Sequence, residues 1–182
     1  MRRRRRAMRA RGEQRERDDL RYPADVEVIL IRHAQAVDET LAVRDPHRHL
    51  TPQGRTEARA LGERLRWHDC GPTHVWASPL VRTMQTAELV LANMHSETPI
   101  ESVPRLAPGE HPRDVIAAIR ALDPGATLVI VGHEPGLSAI GALLVNDPDF
   151  PSLDKAEAAR IVDGVLRWRF AWNAEAPAIV AR

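Results

Sequence analysis

The sequence predicts an α/β fold, a three-layer α/β/α sandwich with a mostly parallel central sheet and a C-terminal antiparallel hairpin. Two short apolar runs rich in β-branched residues, Val26 to Ile31 and Thr127 to Val131, carry the pattern of strands covered on both faces. Segments with apolar residues at helical spacing alternate with these and with weaker strands, the order that builds parallel sheets. Near the C-terminus, Ala158 to Val162 and Val165 to Trp172 flank Asp163-Gly164, a two-residue turn signal for a hairpin. The chain has 182 residues, which suits one such domain, expected over residues 23–182.

Residues 1–22 hold too little apolar surface to offset the entropy of ordering, so a disordered, Arg-rich extension is expected there. Residues 1–21 contain ten Arg and four acidic residues, so the nominal net charge of +1 conceals a body at −5. Such an arm could meet nucleic acid or an anionic surface, but a solvated extension is the simpler reading, and arginine content alone does not indicate a nucleic-acid partner. The single Cys70 excludes an intramolecular disulfide. No run approaches membrane-spanning length and no apolar segment follows the Arg-rich start, so a cytoplasmic protein without a membrane partner is expected.

The first strand delivers Arg32 and His33 together at its carboxyl end, where open α/β sheets place ligands. Gln35 to Leu50 has no steady period and carries Asp38, Glu39, Asp45, His47, Arg48 and His49, which reads as an active-site loop. Thr51 as N-cap with Pro52 at the first helical position opens a helix with an apolar face of Ala58, Leu61 and Leu65, closed by Cys70-Gly71-Pro72. His74 to Ala77 is the second strand. Ser78-Pro79 reads as another cap-then-proline start, for a helix through Leu80, Met84, Ala87, Leu91 and Met94. Ile100 to Val103 is a short strand, Pro104 to Pro112 is rich in turn residues, and Val115, Ile116, Ile119 and Leu122 mark a third helix. The strand from Thr127 ends in Gly132-His133-Glu134-Pro135-Gly136 and leads into an apolar helix from Leu137 to about Val145. In the hairpin, Leu166, Trp168, Phe170 and Trp172 fall on one face by period 2. Right-handed crossovers bring Arg32 and His33, Arg82 and His133 to one sheet edge.

Four stretches in order carry a family likeness: Leu30-Ile31-Arg32-His33-Ala34, Leu50-Thr51-Pro52-Gln53-Gly54-Arg55, Ser78-Pro79-Leu80-Val81-Arg82-Thr83-Met84-Gln85-Thr86-Ala87, and Val131-Gly132-His133-Glu134-Pro135. Together they resemble the phosphoglycerate mutase-like histidine phosphatase superfamily, and within it the small SixA-like phosphohistidine phosphatase branch. The likeness runs from about Val26 to Leu144. It implies a second active-site histidine at His133, protonated and donating to a phosphoryl oxygen, and a further phosphate-facing arginine at Arg48. Ala34 stands where the superfamily usually has Gly, a replacement frequent in the small branch.

The chemistry of the residues agrees with that likeness. Phosphoryl transfer needs an in-line nucleophile and fixed positive charge around the equatorial oxygens, and this set supplies both without a metal or other cofactor. A neutral imidazole at His33 can attack phosphorus, provided its other nitrogen is tied to a carbonyl or carboxylate. Arg32 and Arg82 offer planar forks for two oxygens each. Ser78 is expected to cap the helix carrying Arg82. The likeness further implies that members acting on phosphate esters draw a general acid from the region after the third strand, and Glu110, the only carboxylate in Pro104 to Pro112, is the candidate, its rival role being a charge at a helix start. Asp45, His47 and His49 do not make a metal site without a further convergent ligand, and Trp168 and Trp172 read as core rather than a base-stacking platform. The expected activity is a phosphatase acting through a phosphohistidine on His33, with a histidine-phosphorylated protein as substrate. The alternatives are a small phosphorylated metabolite, as ester or pyrophosphate, or a non-catalytic phosphate- or nucleic-acid-binding protein.

Overall fold

A computed structural model describes residues 25–179. The expected extension over residues 1–22 lies outside the described residues. The sheet has seven strands in the order β3-β2-β4-β1-β5-β6-β7: β1 Glu27–Arg32, β2 His74–Ala77, β3 Ile100–Ser102, β4 Thr127–Gly132, β5 Glu157–Val162, β6 Val165–Ala171 and β7 Ala178–Ile179. The first four pair in parallel, and β5, β6 and β7 add antiparallel. Among the described residues four α-helices cover it: α1 Pro52–Trp67, α2 Val81–Met94, α3 Pro112–Ile119 and α4 Gly136–Val145.

β1 and β4 lie in the middle because they are apolar on both faces. Ile29, Ile31, Val129 and Val131 face one core with Leu61, Leu65, Val90 and Leu91 of α1 and α2. Val28, Leu30, Leu128 and Ile130 face the other with Ile116, Ile119, Leu137 and Ile140 of α3 and α4. This is the three-layer sandwich expected, with β7 as an unforeseen strand at the edge. Burial of these aliphatic side chains contributes roughly 1.5–3 kcal/mol each. α1 and α2 cross closely because Gly62 has no side chain: a Cβ there would stand 2.3 Å from the Val90 carbonyl oxygen.

Three local expectations are corrected. The first helix ends at Trp67, with His68 as C-cap, before the Cys70-Gly71-Pro72 break. α2 begins at Val81 with Leu80 as N-cap and no side-chain cap bond, so Ser78 does not cap it. In the hairpin, Asp163 and Gly164 both take positive φ, as the turn requires, but Leu166 leaves the predicted face. The register shifts between Arg160 and Ile161, pairing Trp168 with Arg160 and Leu166 with Ile161, so one extra residue, Arg167, sits in β6. Trp168 and Phe170 pack with α1 and α2, while Leu166 packs into the opposite core.

Candidate active site

The carboxyl ends of β1, β2 and β4 meet at one edge, and the parallel pairing continues to the last residue: the His33 amide donates to the Gly132 carbonyl at 3.1 Å. Beyond β1 the backbone is held by side chains of both neighbouring helices. The Ala34 amide donates to Thr86 Oγ1 at 3.1 Å, and the Gln35 amide donates to Glu57 Oε2 at 2.9 Å. Gly54 lets α1 come close enough for this, because a Cβ at that position would lie 1.9 Å from the Gln35 carbonyl oxygen. Thr51 Oγ1 accepts from the Gly54 amide at 3.0 Å, the cap read from the sequence.

His33 is buried, and its Nδ1 lies 2.8 Å from the Ala34 carbonyl oxygen. A carbonyl only accepts, so Nδ1 carries the proton and Nε2 keeps its lone pair. Burial, aided by the positive fields of Arg82 and Arg32 and opposed by the Ala34 hydrogen bond, lowers the His33 pKa to about 4. The ring is therefore neutral at pH 7, with Nε2 available as a base or nucleophile.

His133 stands edge-on to it, with ring centroids 5.1 Å apart. Its Nε2 lies 2.9 Å from Ser78 Oγ, which makes Ser78 a partner of the second histidine. Burial, then the fields of His33 and Arg82, lower the His133 pKa to about 3. The family likeness implies a protonated ring, and the lowered pKa means that a proton on it has to be stabilised by the substrate's negative charge.

Arg82 lies on the first turn of α2 and is 4% exposed. Its Nη1 donates to the Asp45 carbonyl at 2.8 Å and its Nη2 to Asp45 Oδ2 at 3.3 Å. Arg48 donates from Nε to the Val37 carbonyl at 2.7 Å and from Nη1 to Asp45 Oδ1 at 3.1 Å. Burial works against ionisation of Asp45, but the hydrogen bonds and charge of Arg48 and Arg82 outweigh it and hold the carboxyl below the usual range. Arg32 donates from Nη1 to the Leu153 carbonyl at 2.7 Å. Among the described residues the Nε groups of Arg32 and Arg82 are buried with no acceptor, an arrangement suited to an anion with several oxygens.

Glu110 is exposed and lines a cavity of about 240 Å³ together with His133, Glu134, Leu106, Pro112, Leu137 and Ile140. α3 is capped by His111, whose Nδ1 accepts from the Arg113 amide, so Glu110 is not the cap. His47 and His49 are exposed, and among the described residues no three His, Cys, Asp or Glu side chains gather to hold a metal.

Two residues take roles that the sequence did not show. The sequence offers Asp45 only as a loop carboxylate beside His47 and His49, and Glu134 only as a weaker candidate acid next to a ligand position. Glu134 accepts from the Ser138 amide at 3.2 Å, from Ser138 Oγ at 2.6 Å and from the Leu153 amide at 2.8 Å, and Leu153 in turn holds Arg32.

Residues 28–108 match the histidine phosphatase superfamily, branch 1. An uncharacterized protein of Picosynechococcus sp. is 31% identical over 62% of this chain and 68% of its own length. The chain belongs to the histidine phosphatase superfamily. The mitochondrial serine/threonine-protein phosphatase Pgam5 of Drosophila mojavensis is 39% identical over 39% of this chain, a match that spans only 27% of that longer protein. Among solved structures, the protein histidine phosphatase SixA complexed with tungstate superposes with a TM-score of 0.74 at 24% identity, over 80% of this chain and 97% of that one. A putative phosphohistidine phosphatase SixA from Nakamurella multipartitia aligns with a TM-score of 0.60 at 27% identity, over 80% and 86%. The fold of this histidine phosphatase superfamily member is thus SixA-like, and among its described residues no helix is long and apolar enough to cross a membrane.

Proposed function

We propose that residues 23–182 form a metal-independent phosphohistidine phosphatase, acting on histidine-phosphorylated protein through a phosphohistidine on His33. The observation that carries this reading is the tautomer lock: the Ala34 carbonyl holds the proton on Nδ1 and leaves Nε2 as the nucleophile. The phosphoryl dianion is gripped by Arg32 and Arg82 with His133 donating, and Arg48 adds positive field. The Nε2 lone pair attacks phosphorus while the phosphorus–nitrogen bond of the substrate breaks. A phosphoimidazole protonated on its far nitrogen leaves as neutral imidazole, so the first step needs no protein acid. Water then attacks the phosphohistidine, loses a proton to solvent, and returns the electron pair to Nε2 as phosphate leaves. The expected setting is the cytoplasm.

A second reading is supported by Glu110 sharing the cavity with His133. A carboxylic acid there would protonate an alkoxide, as hydrolysis of a phosphate ester requires. Phosphate release from a histidine-phosphorylated protein and from an aryl phosphate, measured for the wild type, His33→Ala and Glu110→Gln, separates the two. The phosphohistidine reading expects fast release from the protein that needs His33 and ignores Glu110. Preference for the ester, with strong dependence on Glu110, would replace it with the phosphomonoesterase reading.

A further inference from the structure

Arg82 and Arg48 are like charges that meet at one carboxylate. Asp45 Oδ1 lies 3.2 Å from Arg82 Nη1 and 3.1 Å from Arg48 Nη1, while Oδ2 faces Arg82 Nη2 at 3.3 Å. The carboxylate thus covers the two-nitrogen end of the Arg82 fork and leaves its Nε–H, which is buried without an acceptor among the described residues. The backbone of the same residue takes a further bond from Arg82, at 2.8 Å. Among the described residues, Asp45 is the only acidic group bonded to either arginine.

We infer that Asp45 is the positioning residue for the phosphate-binding arginines, turning the Arg82 fork so that its Nε side meets the phosphoryl group and drawing Arg48 in beside it. The inference rests on the proposed phosphate site and adds to it the residue that assembles it. Charge supports it. Three arginines and one carboxylate, with both histidines uncharged, set the site at +2, a charge matched to that of an incoming phosphoryl dianion. Without the carboxylate, Arg82 and Arg48 would repel each other at short range. Asp45 sits in the 3₁₀ turn Asp45–His47 of the loop clamped by the Ala36 to Leu50 bridge. The same contact therefore makes the order of that loop and the order of the phosphate site one property.

The opposite reading of the same contact is a latch, in which the carboxylate competes with phosphate for Arg82, and the two differ in sign. Inorganic phosphate binding, followed by phosphorus NMR titration, is to be measured for the wild type, Asp45→Asn, Arg82→Ala and the double variant, with melting temperature as the check on folding. Positioning expects Asp45→Asn to weaken phosphate binding roughly tenfold, the order of one lost charge-assisted hydrogen bond. The melting temperature should hold, because the Asp45 side chain is 39% exposed and such pairs add little stability. In the Arg82→Ala background the same substitution should change binding by less than about threefold, because only its hold on Arg48 is left. Tighter phosphate binding by Asp45→Asn, or equal effects in both backgrounds, would overturn the inference. Phosphate binding with this coupling but no turnover of phosphohistidine or aryl phosphate would sink the catalytic reading and leave the Asp45 role standing, whereas no phosphate binding by the wild type would sink both.

Discussion

Arg32 and Arg82 both lie within electrostatic reach of His33, but their mounts differ in kind. Arg32 is held by a neutral backbone carbonyl, Leu153, whose own amide is fixed by Glu134. The segment around it is pinned three more times: Glu157 accepts from the Asp154 amide at 2.6 Å, Arg169 donates to the Ser152 carbonyl at 2.7 Å, and the Ala156 amide donates to the Arg32 carbonyl at 3.2 Å. Arg82 is held by the carboxylate and the carbonyl of one residue, Asp45, on a loop with few buried residues. One arginine is set on a rigid shelf and the other on a charged, partly solvated clip. The difference teaches that the same cation can be presented by backbone geometry or by charge, and only the second can answer to salt, ligand or loop motion.

The comparison can be sharpened by removing each arginine. Arg82→Ala should cut phosphohistidine turnover by roughly 10²-fold or more, as for a lost transition-state donor, and Arg32→Ala by a similar factor. A near-normal rate for either would break the assignment of that side of the site. A smaller effect separates the mounts. Glu134→Gln keeps the size of the side chain but weakens its hold on Leu153 and Ser138, so kcat/KM should fall about tenfold through Arg32, with a lower melting temperature from the half-buried relay. If its effect persists in full when Arg32 is already Ala, the relay does not act through that arginine.

The smallest effect at ordinary pH lies between the mounts, in the two histidines. Their folded-state pKa values of about 4 for His33 and about 3 for His133 lie below the 6.5 of an exposed histidine. Well above pH 6.5 both are neutral folded or unfolded and add no pH dependence. As pH falls below that value the unfolded chain takes up protons that the folded site refuses, so stability declines by up to about 1.4 kcal/mol per pH unit for each histidine until its folded pKa is reached. Denaturant unfolding of the wild type and His33→Ala between pH 7 and pH 4 should show a shallower decline in the variant. Parallel curves would mean that burial does not hold His33 neutral.

Much of this protein is legible in one dimension. β1 and β4 announce themselves because strands buried on both faces must be apolar throughout, and Thr51-Pro52 marks its helix because a cap and a fixed φ are local demands. Arg32, His33, Arg82 and His133 follow from strand ends carrying charged residues, together with the order of their motifs. Which partner each side chain takes was decided only in three dimensions. Ser78 serves His133 rather than a helix end, Asp45 joins two arginines, Glu134 holds Arg32 through Leu153, and Leu166 changes cores at the Arg167 bulge. Each of these joins residues distant in the chain or turns on the pairing of two strands. The sequence determined the strands, the helices and the reactive groups, because propensity and pattern act over a few residues. The tertiary structure decided the hydrogen bonds that orient those groups, because a polar side chain takes whichever partner the fold brings within about 3 Å.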